Sequence, residues 1–300
     1  MTDIVIVNWN GGDLVKKCIG SVFENSGIGL VNSVIVVDNA STDNSADNLP
    51  NDKRLIVIKN TANFGFARAC NQGFKLCKAE FVLLLNPDAQ ILPSTLQECI
   101  AFINQNPGVD ILGARLLDDN GKNTFSCARF PTPLRIFFDA AGLSKLFPTV
   151  FTPSTLMTDW NHAESRFVDQ LMGAFMFMRR SVFDKIGYFD ERFFVYYEEL
   201  DFSKRLSEAG GKSFYNHDIT AIHSGEGTTS RVKAFRLFLS LRSRLQYAKK
   251  HFSSAGYIFV FLSTWLVEPF SRTLLHLVKG QWSSVKNVWQ GYGLLFKNKL

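Results

Sequence analysis

The chain has 300 residues, 46% of them hydrophobic and 20% charged, which is enough apolar material for one large α/β domain with appendages and excludes a disordered chain. The formal net charge of +6 hides an asymmetry: positions 231–300 carry 12 Lys+Arg against a single acid, Glu268, a surplus of +11, and the first 230 residues sum to −5. The five cysteines form no CxxC pair and fit a reduced, cytoplasmic setting, and the apolar stretch 4–7 is too short for a secretory signal, so the fold is expected to begin at the N-terminus.

In chain order, the first half alternates short apolar runs with helix-like stretches: DIVIVN, GDLVKKCIGSVFEN, NSVIVVDN, STDNSADNL, RLIVIKN, GFARACNQGFKLC and FVLLLN. Near-continuous Val/Ile/Leu strands separated by helices predict a parallel sheet covered on both faces, an α/β fold. The helix after the first strand is expected to bury Leu14, Cys18, Val22 and Phe23. Periodicity fades over 118–165, where Pro131, Pro133, Pro148 and Pro153 suggest a functional loop region. Patterning resumes with GAFMFMRR at 173–180, read as a core strand ending in Arg179 and Arg180, and helices dominate after position 231. The apolar segment 255–267 spans thirteen residues, fewer than the roughly 20 of a membrane-crossing helix, and is expected to lie on a surface or be buried. The basic, aromatic-rich tail suits an anionic membrane surface or an anionic lipid acceptor, with a packed helical subdomain bearing a solvated basic face as the plain alternative. No nucleic-acid partner is expected, and self-association stays open.

Two segments carry acids at the rim of apolar runs: FVLLLNPDA at 81–89 and FFVYYEELDFSKRL at 193–206. A parallel sheet offers its ligand groups at the carboxyl ends of its strands, so the two rims predict one cleft with a metal–phosphate side and an acid–base side. Asp38 closes the second strand run, where a carboxylate can accept from ribose hydroxyls or a base N–H; Ser41 and Asp43 after it read as helix-capping residues. Asn8 and Asn10 end the first strand run and can simply serve a turn before Gly11 and Gly12. Gly65 permits close backbone approach at a helix start. Arg68 there can meet a phosphate or stand at the surface, and Asn71, three residues on, shares its helical face. Asn86-Pro87-Asp88 reads first as a turn. Glu198 and Glu199 form an acidic first turn, and Asp201 lies four residues before Arg205, a spacing for an ion pair that leaves Glu199 free. His223 follows a short apolar run and precedes the Gly-rich SGEGTT.

The ordered segments VIVNWNGGDLVKKCIGSV, VIVVDNASTDNS, NTANFGFARACNQGF, LLLNPDA, GAFMFMRRSVFDKIGYFDERFFVYYEELDFSKRL and AIHSGEGTT together resemble glycosyltransferase family 2, most of all its rhamnosyltransferase-like branch of bacterial surface-polysaccharide synthesis. The resemblance covers about 4–229. It implies a GT-A fold, Rossmann-like, with a catalytic domain at 1–230 (nucleotide-sugar half 1–117, acceptor and base half 118–230) and a basic helical region at 231–300.

The resemblance places Asn8, Asn10, Asp38, Gly65, Arg68, Asn71 and Asn86 around a nucleotide-sugar donor, a dTDP- or UDP-sugar. It places Asp88 and His223 at a Mg2+ or Mn2+ ion, and Glu199, with Asp201, at the catalytic carboxylate of an inverting transfer. Asn86 stands where the family's DxD motif has its first acid, and Glu199 where it has Asp. The implied reaction moves a sugar, rhamnose from dTDP-rhamnose, to a lipid-linked glycan by an enzyme peripheral on the inner face of the cell membrane. Alternatives are an inactive sugar-nucleotide or glycan binder and a nucleotidyltransferase; an NAD enzyme is disfavoured because no GxGxxG follows the first strand.

Overall fold

The computed structural model describes residues 1–25, 27, 29–47, 49–225 and 233–298. Two compact units emerge, one of Met1–Ala128, Asn161–Glu191 and Glu198–Thr228, the other of Arg129–Trp160, Arg192–Tyr197 and Thr229–Leu300. Compactness thus divides the chain otherwise than by a single cut at 230.

The first unit is α/β. Its first strands are β1 (Thr2–Asn8), β2 (Val31–Asp38), β3 (Leu55–Lys59) and β4 (Phe81–Leu85), in parallel order β3-β2-β1-β4. Strand β1 is buried along its whole length because both sheet faces are covered. On one face Ile4, Ile6, Val34, Val36 and Leu83 pack against α1 (Leu14–Asn25) and α3 (Thr95–Gln105) through Val15, Cys18, Ile19, Val22, Leu96 and Cys99. On the other lies α2 (Phe66–Phe74), whose Gly73 comes so close to Val5 that an added Cβ would sit 2.4 Å from the Val5 side chain. Helix α1 buries Val15 and Ile19 beside Cys18 and Val22, while Leu14 and Phe23 are only half-buried, a rotation of the expected face.

The sheet continues beyond β4 through β10 (Phe175–Arg179), β6 (Ile111–Leu117), β11 (Ser213–His223) and the short β5 (Ala89–Ile91). Here β10 runs antiparallel to both β4 and β6, β11 runs parallel to β6, and β5 and β8 (Arg166–Val168) pair antiparallel with β11. A separate pair joins β7 (Cys127–Ala128) to β9 (Gln170–Leu171), and α6 (Ser181–Ile186) and α7 (Glu198–Glu208) complete the unit. The stretch STDNSADNL, expected as helical, is a run of turns and bends in its described residues, because its side chains bond back to the ends of β1 and β2.

The second unit is helical. It holds α4 (Pro133–Ala140) and α5 (Leu143–Leu146), then α8 (Lys233–His251), α9 (Ser254–Leu262), a π turn (Ser263–Val267), α10 (Glu268–Val278) and α11 (Trp282–Lys297). Part of the region expected as irregular loop is therefore helix. Thr132 caps α4 by accepting from the Arg135 N–H, Pro133 opens it, and Ile136 enters a core with Phe238, Leu241, Leu245, Val260 and Tyr292.

The apolar run at 255–267 also belongs to something longer than expected. A continuous helix over Ser254–Val278 is, by length and composition alone, long and apolar enough to cross a membrane. Glu268, inside this helix, is buried and its charge is balanced by Arg244 and Arg272. Burial alone would push its pKa up, yet the charges of Arg244 and then Arg272 hold it down at about 2.

Candidate active site

The carboxyl ends of β1 and β2 lie side by side, with Asn8 in register with Asp38. Asn8 is fully buried and donates through Nδ2 to Asp38 Oδ1 at 2.8 Å, to Ser45 Oγ at 2.8 Å and to Ser41 Oγ at 3.1 Å. Ser41 donates to the same Asp38 oxygen at 2.6 Å, and its backbone N–H reaches the other at 3.2 Å. Asn8, expected beside the nucleoside, spends its amide protons inside the protein, on Asp38, Ser41 and Ser45. Asn10 has a positive φ of 53° and accepts from the Thr42 N–H at 2.8 Å, so it shapes the loop after β1. Ser41 and Asp43 cap no helix. Ser41 links the two strand ends, and Asp43 accepts from the Gly12 and Ser45 N–H groups.

A second amide cluster orders the next loop. Asn39, buried, donates to Asn63 Oδ1 at 2.8 Å and to the Gly65 carbonyl at 3.1 Å, and accepts from Asn60 Nδ2 and the Phe64 N–H. This fixes Gly65 at φ 88°, ψ 165°, a conformation only glycine adopts at low cost, at the entry to α2. Sequence reasoning passed over Asn39; the one hint was the recurrence of Asn at 39, 60 and 63 around the Asp38 strand end. Arg68 is exposed with its guanidinium 4.3 Å from the Phe64 ring centroid. Asn71 does not share a task with it. Asn71 is buried, and its amide donates to the Phe189 carbonyl and Glu191 and accepts from the Phe189 N–H, so it fastens that segment to α2.

After β4 the chain makes a tight turn, with the Ala89 N–H donating to the Asn86 carbonyl at 3.0 Å. The turn carries Asp88 against His223: β5 pairs with β11 so that Ala89 faces His223, and His223 Nε2 lies 3.3 Å from Asp88 Oδ1. The Ser224 N–H closes the contact on the Asp88 carbonyl at 3.0 Å. Asp88 is buried and His223 half-buried. The pair offers one carboxylate and one imidazole at a spacing that suits neighbouring ligands of one ion; among the described residues no third His, Cys, Asp or Glu joins them. Of the Gly-rich SGEGTT at 224–229, positions 226–229 lie outside the described residues.

The other rim of the turn belongs to Glu199. The Asn86 N–H donates to the Ala174 carbonyl at 3.0 Å, and the preceding residue, Gly173, lies so close to Glu199 that a Cβ there would sit 3.2 Å from Glu199 Oε1. Burial raises the Glu199 pKa above the usual carboxylate range; N–H donation from its own backbone and from Gly173, and a hydrogen bond with Glu198, offset part of that rise. Asp201, the other carboxylate expected at the catalytic site, is held by Arg205. It is fully buried and receives Arg205 Nε at 2.9 Å, and Arg205 Nη2 also donates to the Tyr188 carbonyl at 2.7 Å, which ties α7 to the end of α6. Gly173 was read only as part of a core strand; its contact with Glu199 comes from the return of α7 and carries no sequence mark.

Residues 3–187 match Glycosyl transferase family 2. The chain is a family 2 glycosyltransferase. It is similar to the low-salt glycan biosynthesis hexosyltransferase Agl10 of Haloferax volcanii, at 26% identity over 84% of this chain and 76% of that one. It is also similar to the N-acetylglucosaminyl-diphospho-decaprenol L-rhamnosyltransferase of Mycobacterium tuberculosis, at 27% identity over 68% of this chain and 70% of that one. Its fold resembles the mannosyltransferase PcManGT from Pyrobaculum calidifontis solved with GDP-Man and Mn2+, with a TM-score of 0.54 and 14% identity over 99% of this glycosyltransferase and 86% of that chain. The GT-A fold and the enzyme class expected from the sequence are borne out.

Proposed function

We propose that this glycosyltransferase transfers a sugar with inversion from a nucleotide donor to a lipid-linked glycan acceptor in surface-polysaccharide synthesis, and that the sugar is rhamnose carried on dTDP. The observation that carries the reading is the Asp88–His223 pair at the turn Asn86–Ala89, whose Asn86 N–H is bonded to Ala174, next to the Gly173 that lies against Glu199. The mycobacterial relative, named for rhamnosyl transfer to a decaprenol-linked sugar, supports the choice of sugar and acceptor.

In this reading Asp38, oriented by Asn8 and Ser41, holds the nucleoside. Asp88 and His223 hold Mg2+ or Mn2+, a hard ion that takes its remaining oxygens from phosphates and water. That ion supplies charge neutralisation for the departing diphosphate. Asn86 in place of an acid leaves the site one negative charge short, so Asp88 and His223 would hold the ion together with the donor phosphates. Glu199 takes the proton of the acceptor hydroxyl on the face opposite the leaving group, and its raised pKa makes it a better base than an ordinary carboxylate. The domain assignment that accompanies this reading is a catalytic region at 1–230 and a basic region at 231–300.

Thermal unfolding with dTDP-rhamnose, UDP-sugars and GDP-sugars, each with and without Mn2+, tests the donor class, because a ligand that binds only the folded state raises its stability by mass action. The expected result is stabilisation by dTDP-rhamnose that needs the metal. Stabilisation by another sugar nucleotide overturns the rhamnose assignment, and no response to any of them overturns the whole reading.

A further inference from the structure

The helical unit carries an apolar surface that its own fold leaves uncovered. Along the continuous helix Ser254–Val278, the residues Val260, Ser263, Thr264, Glu268 and Pro269 are buried, while Ile258, Leu262, Leu266, Phe270, Leu274 and Val278 are exposed, Leu266 by 64%, Leu274 by 64% and Val278 by 80%. Their four-residue spacing draws a row that winds gradually about the axis of a helix roughly 37 Å long. Near its C-terminal end stand further exposed apolar groups. The Ser271 hydroxyl donates to the Ala140 carbonyl, which joins α10 to the arm that carries exposed Leu146, Phe147 and Val150. Trp282, at the start of α11, is exposed as well.

The charge beside this surface has one sign. The three acids of the unit are all engaged internally: Asp139 accepts from Ser144 and the Ser154 N–H, Asp159 pairs with Arg129, and Glu268 pairs with Arg244 and Arg272. Desolvation and then the charge of Arg272 lower the Lys145 pKa, against the raising charges of Asp139 and Glu268. Lys279, Lys286 and Lys297 are exposed.

We propose that the row from Ile258 to Val278 is a docking face that lies in the plane of an anionic lipid bilayer. Apolar and aromatic side chains beside exposed lysines, with the three acids of this unit engaged internally, match the acyl and headgroup layers together. A second copy of the chain would bring like charges face to face. A crossing helix would carry the Arg244–Glu268–Arg272 cluster into hydrocarbon, where charges are costly, whereas an in-plane helix keeps that cluster on its protein side. The face involves none of the residues assigned to the nucleotide or the metal, so it stands or falls apart from the choice of sugar.

Co-sedimentation of the full chain with vesicles of phosphatidylcholine alone, or mixed with phosphatidylglycerol, tests it. Binding is expected only with the anionic lipid, weakened but not abolished by high salt, since charge is screened over roughly 8 Å at physiological ionic strength while apolar burial is not. Leu266→Asp with Leu274→Asp, and separately Lys279→Glu with Lys286→Glu, are each expected to reduce partitioning at least about tenfold, leaving circular dichroism and transfer to a water-soluble acceptor unchanged. Failure of the wild-type chain to bind either vesicle, or full binding of the lysine variant, overturns the proposal. Retention on membranes through alkaline carbonate extraction overturns the in-plane geometry. A lipid-independent dimer that Leu274→Asp dissociates assigns the face to a second copy instead.

Discussion

Asp88 and His223 meet side chain to side chain, 3.3 Å apart, because the turn after β4 feeds a three-residue strand that pairs antiparallel with the end of β11. Neither residue is close to the other in sequence, and each alone has an ordinary structural explanation. Their juxtaposition at the carboxyl end of the sheet is what makes them a candidate ion site.

Replacing Asp88 with Ala is expected to lower turnover by roughly 10²-fold or more, the scale of losing one contact to developing charge, with a native circular dichroism spectrum. Excess EDTA should silence the wild-type enzyme, and Mn2+ should restore it. Full activity of the variant at limiting metal, or of the wild type in EDTA, contradicts the assignment.

Glu199→Gln should lose about 10²- to 10⁴-fold in turnover with donor affinity little changed. The wild-type activity should fall as pH drops through a value above the usual carboxylate range, since the base must be ionised and burial raises its pKa. The linkage has the opposite sign for stability: a carboxyl whose folded pKa is raised stabilises the fold at low pH and loses that contribution as pH rises. Glu199→Gln should therefore be more resistant to denaturant than the wild type at neutral pH, which urea titration can measure.

Asp201→Asn should act on stability. Weakening its contact with Arg205 is expected to cost about 2 kcal/mol, the scale of a charge-assisted hydrogen bond, read as a lower urea midpoint with residual activity tracking the folded fraction. A folded but inactive variant would exchange the roles of Asp201 and Glu199.

The helical unit should show an acid limit of its own. With a folded pKa of about 2 against an ordinary value of 4.5, Glu268 contributes stability that is fully present above pH 4.5 and is lost as pH falls toward 2. Glu268→Gln should remove that limb and cost about 3–5 kcal/mol, because Arg244 is left buried without its countercharge. Helical circular dichroism followed from pH 5 to about 2 provides the readout.

Gly65→Ala should destabilise by about 1–3 kcal/mol, since an L residue is strained at φ 88°, ψ 165°, and should weaken donor binding further if the Gly65 turn borders the nucleotide. Equal donor affinity at matched folded fractions would make Gly65 purely architectural.

The strands β1, β2 and β4 and helices α1 and α2 were legible in the residues because each rests on local periodicity and on apolar runs long enough to cross a buried sheet. The order of the carboxylates Asp38, Asp88 and Glu199 at element ends, and the pairing of Asp201 with Arg205, were legible for the same reason: both depend on spacing along one element. Local sequence could not fix what distant segments do to one another. The enclosure of Asn8 by Ser41 and Ser45, the use of Asn71 on Phe189 and the approach of Gly173 to Glu199 all join parts of the chain far apart in sequence. An amide looks equally polar whether a ligand or a buried neighbour takes its protons, so only the tertiary structure decides which. The same holds for Glu268, which in the sequence ends an apolar run and in the fold is buried, because Arg244, reaching it from another helix, balances its charge where it stands.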